Sequence, residues 1–374
     1  MTDAWVPPGS VWAGMPGALP RRLSERFHAD LADASVTDFT VRLLAREAAW
    51  RLQGTSGWNL LMARNRWFGR RAANALRRLS RASDQTVVFA HSYSARQVLA
   101  EAKARGWTTV LGQIDPGPEH FRIAAQCAKE WPEYGPAPEA PPAAYFESWR
   151  AECESANWIV VNSEWARDAL QRAGIAPSKL RVIPLAYEPE LGGAHPDRQY
   201  PTAFTRARPM RLLFVGHVAV AKGMPAVLEA VAQLTELPIE LRVVGAMAMD
   251  IPRRFIDHPG IRWVGPVPRL EVMRHYRESD LLVFPSYSDG FGMAQVEAQG
   301  WRLPILASRH CGRVVADGIT GLLLPEVTPA AIAAALRRLA AAPELLASFA
   351  RASAGPRPPG LAALTEALLG LETP

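Results

Sequence analysis

Cysteine and lysine are scarce in this 374-residue chain, and no apolar run is long enough to cross a bilayer. The three cysteines, Cys127, Cys153 and Cys311, are odd in number and far apart, which argues against a disulfide framework and offers no paired spacing for zinc. A spanning helix needs about 18 or more successive apolar residues, and none is present. The N-terminus lacks the basic, then apolar, then small-residue order of a secretory signal. Together these absences point to a reducing cytoplasm. Lysine occurs only at Lys103, Lys129, Lys179 and Lys222; every other basic residue is arginine. With abundant Ala, Pro and Gly, that bias reads as the coding habit of a GC-rich genome. The net charge of +6 therefore carries little weight, and no nucleic-acid partner is expected.

What is there fits two domains of roughly 150–200 residues, each with enough apolar residues to bury a core. Charge is unevenly spread. Between Arg42 and Arg81 stand ten arginines and one acid, Glu47, interleaved with Trp50, Trp58, Trp67 and Phe68. Basic helices with aromatic residues can lie on an anionic membrane surface, so residues 42–81 are a candidate peripheral contact on the inner face of the cell membrane. The plainer reading is a solvated helix whose aromatics pack into the domain.

The opening residues hold two Gly/Pro loops, Val6-Pro7-Pro8-Gly9 and Trp12-Ala13-Gly14-Met15-Pro16-Gly17, before a helix from about Leu19. From Thr86 strands and helices alternate. Strand 86–90 ends at His91 and precedes helix 95–105. Strand 108–114 ends at Asp115-Pro116-Gly117-Pro118. Residues 131–142, rich in proline and acid, read as an exposed loop. A helix leads into strand 158–162, Ser163 is the N-cap of the next helix, and strand 180–184 is short. The second half predicts strands 212–215, 240–244, 261–264, 281–284 and 304–307. Its helices are 224–234, 270–279, 293–300, 329–341 and, last, 362–369. Such alternation implies an α/β fold with parallel sheets covered by helices on both faces. The expected division is 1–190, a linker at 191–209, a second domain at 210–345, and a tail at 346–374. Two such domains would make a cleft between their strands' C-terminal ends, where α/β ligands usually bind.

The most specific pattern follows the apolar run Leu281 to Phe284. Asp289 precedes Gly290-Phe291-Gly292, a helix opens at Met293-Ala294, and Glu297 comes a little over two turns later. A glycine turn opening a helix offers free N–H groups and a positive dipole end to an anion. Two flanking carboxylates suit hydroxyl groups of the same ligand, so a phosphorylated sugar fits. Singly, Asp289 could be a turn residue and Glu297 a solvent-facing one. At the end of strand 212–215, Phe214-Val215-Gly216-His217 is followed by Lys222-Gly223. A lysine at the mouth of a strand–loop–helix unit is placed to neutralise phosphate, with His217 a second donor; the alternative is an ordinary surface lysine. In the first half, His91 and Asp115 close two strands and are candidates for the cleft, although a strand-end histidine is often structural and Asp-Pro often starts a turn.

On these motifs the second half resembles the family 4 glycosyltransferases, of GT-B fold. The likeness spans about residues 210–325. It rests on Phe214-Val215-Gly216 with Lys222-Gly223, on Val264-Gly265-Pro266-Val267, on Phe284-Pro285-Ser286 running into the Asp289–Glu297 pattern, and on Asp317-Gly318-Ile319-Thr320-Gly321-Leu322. Val160 to Ser163 and Val182-Ile183-Pro184 are weaker landmarks in the first half. The resemblance implies two Rossmann-like domains and a nucleoside-diphosphate sugar donor, such as a UDP-sugar. It implies that Lys222 holds the diphosphate and Glu297 the ribose. Asp289, Gly290 and the N–H groups of Phe291, Gly292, Met293 and Ala294 would hold the sugar and phosphate, and Val267 would meet the base through its backbone. Gly14 and Gly17 would stand for the family's opening phosphate loop. Three departures are visible. The family usually has arginine at the His217 position and glutamate at the Asp289 position. Where many members end a first-half strand with histidine, this chain has Ile114 and then Asp115, leaving Asp115 as the substitute candidate.

The expected activity is a retaining glycosyl transfer to a saccharide or lipid-linked acceptor, in bacterial polysaccharide or glycolipid synthesis. No cofactor is expected, and no metal, since no acidic ligands cluster as magnesium would require. Two alternatives keep the fold: an epimerase or hydrolase of nucleotide sugars, and a non-catalytic sugar-nucleotide-binding protein.

Overall fold

The computed structural model describes residues 1–7, 9–10, 27, 31, 33–79, 86–187, 197–354 and 360–371. Gly14, Gly17 and the helix expected from about Leu19 lie outside the described residues. The chain divides into two compact units. Among the described residues the first comprises those within 1–112 and 141–157, and the second those within 113–140 and 158–371.

In the first unit, strands β1 (Val87–His91) and β2 (Thr108–Gln113) pair in parallel, with Val87 opposite Thr108 and His91 opposite Gly112. Every residue of β2 is buried. Its polar Thr109 is satisfied: the hydroxyl donates to Ser155 O at 2.8 Å, and the N–H donates to Asn157 Oδ1 at 2.8 Å. The arginine-rich segment forms helices Thr40–Leu52 and Gly57–Arg78. Their aromatics face inward. Trp50 is 4% exposed, and its ring meets Trp67 edge to face at 6.4 Å. Phe39 meets both Trp67 and Phe68 at 6.1 Å, and Trp58 packs against Tyr145 at 4.9 Å. The plainer of the two readings holds for these aromatics: Trp50 is buried, Trp67 and Phe68 are partly buried against the core, and Trp58 is partly buried, while Arg42, Arg46, Arg51, Arg66, Arg70 and Arg71 stay exposed. A helix displays one face to the core and another to water, and here the aromatics share the inner face.

Helix Arg96–Ala104 starts against a fully buried carboxylate. Glu152, from helix Ala143–Ser155, accepts from Tyr93 N at 2.7 Å through Oε2, and from Ala95 N at 3.0 Å and Arg96 N at 3.2 Å through Oε1. It therefore satisfies donors that the helix itself cannot pair. Burial nevertheless pushes its carboxyl up to about 7, against the pull of those three N–H groups and of Arg96.

In the second unit, β3 (Trp158–Val161) and β4 (Leu180–Val182) pair in parallel, and the Ser163 side chain caps helix Glu164–Arg172 by accepting from Ala166 N at 3.1 Å. A six-stranded parallel sheet follows. It contains β5 (Met210–Val215), β6 (Ile239–Val244), β7 (Ile261–Gly265), β8 (Leu281–Phe284), β9 (Ile305–Ala307) and β10 (Gly321–Leu323), in the order β10-β9-β8-β5-β6-β7. Strands buried on both faces need continuous apolar sequence, and β8 (Leu-Leu-Val-Phe) is buried throughout. Helix Met224–Ala232 buries seven of its nine residues, so it lies inside the core rather than on it. Leu212, Phe214, Val227, Leu241, Val283 and Leu336 belong to one apolar cluster.

Helix Pro118–Glu130, strand β10 and helix Pro343–Ala352 were not anticipated. The loop read as exposed at 131–142 contains a short 3-10 turn, Pro132–Tyr134, whose Tyr134 is 1% exposed. That ring stacks on Phe255 at 6.2 Å, and its hydroxyl lies 3.1 Å from Glu229 Oε1. Proline and acid content described the rim of this loop and not its anchor. No described helix is long and apolar enough to cross a membrane.

Candidate functional site

In the six-stranded sheet the chain runs outward from β5 through β6 to β7, then returns to the other side of β5 with β8, β9 and β10. The strand order reverses between β5 and β8. Ligands of open α/β sheets bind beyond the strands' C-terminal ends at such a reversal, because the two following loops diverge there. Here the loops are Gly216–Gly223 after β5 and Pro285–Gly292 after β8.

The first loop tightens into a 3-10 turn, Val220–Lys222, and reaches Gly223. Gly223 has φ 76°, and a Cβ there would lie 2.0 Å from Pro285 O, so only glycine permits this approach. Tyr287 N then donates to Ala221 O at 2.9 Å, tying the two loops together. The result is an ion pair: Lys222 Nζ lies 2.5 Å from Asp289 Oδ2, with both side chains mostly buried. The other oxygen, Asp289 Oδ1, accepts from Phe291 N at 3.3 Å. Thus the Phe291 N–H expected to face a ligand is engaged by Asp289.

Gly290 is held from the other side. Its carbonyl accepts from Ser163 Oγ at 2.6 Å, and a Cβ on it would meet Ile114 O at 2.4 Å. Helix Met293–Gly300 begins beyond Gly292 with no side-chain cap, so the N–H groups of its first turn, at Met293 and Ala294, keep the positive end of the helix dipole. On this helix Glu297 Oε2 accepts from the Tyr276 hydroxyl at 2.7 Å. Burial, then the neighbouring Glu297, drive the Tyr276 phenol well above its usual range, which keeps it a donor. Glu297 and Tyr276 line a cleft of about 320 Å³ with Val267, Val215, Tyr187 and Arg269. One wall is thus apolar and the other carries a carboxylate.

The remaining sequence candidates are placed as follows. His217 is exposed in the loop after β5. Asp115 serves its turn: Oδ1 accepts from Gly117 N at 2.8 Å and from Gln113 Nε2 at 2.9 Å. His91 lies in the first unit at the end of β1, its ring edge-on to Phe89 at 5.3 Å. Lys222 and Asp289 therefore meet directly, and Glu297 and Val267 share a cleft.

A further residue joins this group that no motif singled out. His120, in the first turn of helix Pro118–Glu130, has Nδ1 3.3 Å from Ser288 Oγ. Burial lowers its pKa; Lys222 lowers it too, while Asp115 and Asp289 raise it. The available sequence signal was Asp115-Pro116-Gly117-Pro118, which marks a turn and also a helix start with proline at its first position.

Comparison with known proteins gives a consistent pattern. The family model described as Glycosyltransferase Family 4 matches residues 24–191, and that described as Glycosyl transferases group 1 matches 209–342. A D-inositol 3-phosphate glycosyltransferase of Geodermatophilus obscurus is 30% identical over 295 residues, covering 72% of this chain. A protein of the same name from Kineococcus radiotolerans is 30% identical over 238 residues, covering 55% of this chain. The chain spans 62% and 53% of the length of these two relatives. Among solved structures, HepE of Anabaena in complex with UDP has TM-score 0.58 at 15% identity, covering 80% of each chain. Sucrose-phosphate synthase of Thermosynechococcus elongatus has TM-score 0.55 at 21% identity, covering 71% of this chain and 67% of that one. At such identities the likeness speaks for the fold, which is GT-B.

Proposed function

This chain belongs to the family 4 glycosyltransferases, and from that membership we propose that it moves a sugar from a nucleoside-diphosphate sugar to a saccharide or lipid-linked acceptor. In this reading the transfer retains anomeric configuration and serves bacterial polysaccharide or glycolipid synthesis. In it the first half receives the acceptor and 210–345 hold the donor, while the tail expected from 346 begins inside helix Pro343–Ala352, whose Leu346 and Phe349 are buried in the core. The observation that carries the reading is the convergence of Lys222, Asp289 and the opening of helix Met293–Gly300 at the β5/β8 reversal. The UDP bound in the HepE structure favours a uridine donor.

The chemistry follows from charge. As the bond from the anomeric carbon to the diphosphate oxygen breaks, negative charge collects on the diphosphate and the sugar becomes cationic. Groups already aimed at that charge provide the largest rate term because they need not reorganise. Lys222 and the N–H groups of Gly292, Met293 and Ala294 supply this, with His217 an additional donor. Asp289 and Gly290 address the sugar, Glu297 the ribose hydroxyls and Val267 the base. The departing phosphate accepts the acceptor's proton, so no protein base is required. The protein works in the cytoplasm, and the exposed arginines of 42–78 give it a charge-driven contact with anionic lipid.

Lys222→Ala tests the core of this reading. Turnover of the donor should fall by about two to three orders of magnitude, the scale of losing one preorganised charge-stabilising group. The variant should still fold, with a lowered unfolding midpoint because Asp289 loses its ion-pair partner and keeps only the Phe291 N–H. Near-normal turnover in a folded variant would remove Lys222 from the mechanism.

A further inference from the structure

His120 is positioned by a chain of local constraints. Gly117, at φ 64°, turns the backbone after β2, and Pro118 fills the first helical position. Asp115 Oδ1 holds Gly117 N, and His120 N donates to Gly117 O at 3.1 Å. Helix Pro118–Glu130 then packs against the Val220–Lys222 turn. The imidazole is oriented by Ser288, a side chain with 0% exposure that directly precedes Asp289. Nδ1 is thereby engaged, while Nε2 has no hydrogen-bond partner among the described residues. Three charges act on the ring: Asp115 from the preceding turn, Lys222 from the β5 loop and Asp289 from the β8 loop.

A neutral imidazole has one donor and one acceptor, and fixing Nδ1 decides what Nε2 presents. Ser288 directly precedes Asp289, and the helix carrying the ring packs against the Val220–Lys222 turn, so the imidazole adjoins both loops that supply the Lys222–Asp289 pair. We infer that His120 is a catalytic residue whose Nε2 hydrogen-bonds the transferred sugar, supplying from a helix the imidazole that the β2 strand end lacks at Ile114. Asp115 is then a positioning residue that sets the helix start and so aims His120. This inference rests on the donor reading above and extends it by one sugar contact.

The test uses the full chain with UDP and UDP-glucose as probes, comparing parent, His120→Ala, His120→Gln and Lys222→Ala. In His120→Ala, UDP affinity by calorimetry should be unchanged, while UDP-glucose consumption should fall about ten- to a hundredfold, the scale of one lost hydrogen bond to a reacting group. His120→Gln, which keeps a donor and an acceptor, should recover part of that loss. Normal consumption in His120→Ala overturns the inference, as does an equal loss of UDP affinity, which would assign the ring to phosphate binding or to packing. If the parent binds neither probe, or Lys222→Ala consumes UDP-glucose normally, the donor reading itself falls and takes this one with it.

Discussion

Glu152→Gln should change the way stability depends on pH. Glu152 is 0% exposed, and its carboxyl is pushed up from 4.5 to about 7 by burial. The folded chain therefore keeps a proton that the unfolded chain has shed between those two values. The stabilisation is fully present below about pH 4.5 and is lost as pH rises through about 7. At about 1.4 kcal/mol per pH unit, that gap is worth roughly 3 kcal/mol. Glutamine never ionises, so the variant lacks this loss. Near pH 4.5 the variant should lie below the parent by about one hydrogen bond, because the glutamine oxygen can serve Ala95 N and Arg96 N but its amide nitrogen cannot accept from Tyr93 N as Oε2 does. Between about pH 4.5 and pH 8 the parent should lose roughly 3 kcal/mol relative to the variant. Urea denaturation followed by circular dichroism across this range measures the difference directly. Parallel curves, or a parent that gains on the variant as pH rises, would refute the reasoning: the three N–H bonds would then outweigh burial.

Two other outcomes follow from the geometry. Tyr276→Phe removes the hydroxyl that donates to Glu297 Oε2, so donor KM should rise about five- to tenfold with kcat nearly unchanged, in steady-state assays; a fall in kcat alone would detach Tyr276 from ribose binding. Anionic vesicles should retain the protein at low salt and release it as salt rises, with tryptophan fluorescence unmoved because Trp50 and Trp67 face inward; no sedimentation with lipid at low salt would end the membrane assignment.

The motifs after β5 and β8 were readable because their parts are local. Leu281 to Phe284 is apolar throughout, as a doubly covered strand must be, and the glycines after it announce turns. Lys222 stood out through the rarity of lysine and the glycine that follows. What remained hidden depends on contacts distant in sequence. His120 belongs to a helix whose opening Asp-Pro-Gly-Pro reads first as a turn, and only its approach to Ser288, 168 positions away, gives it a place. Asp115 looked chemical because it ends a strand, yet its oxygen is spent on Gly117 and Gln113. The tryptophans of the arginine-rich segment showed composition without direction, since which face of a helix meets the core is decided by what packs there. Tyr134 was masked by its prolines for the same reason.

The bond between Lys222 and Asp289 has a consequence for selectivity. An anion arriving at the ammonium has to part an existing couple before it gains anything. Bare phosphate would leave the carboxylate stranded in a half-closed niche, at the cost of an unanswered acceptor. A molecule bringing hydroxyls alongside its phosphates repairs both halves at once. Under the proposed donor reading the couple would act as a latch with two keys, opened more readily by an intact sugar nucleotide than by the nucleotide left over after transfer.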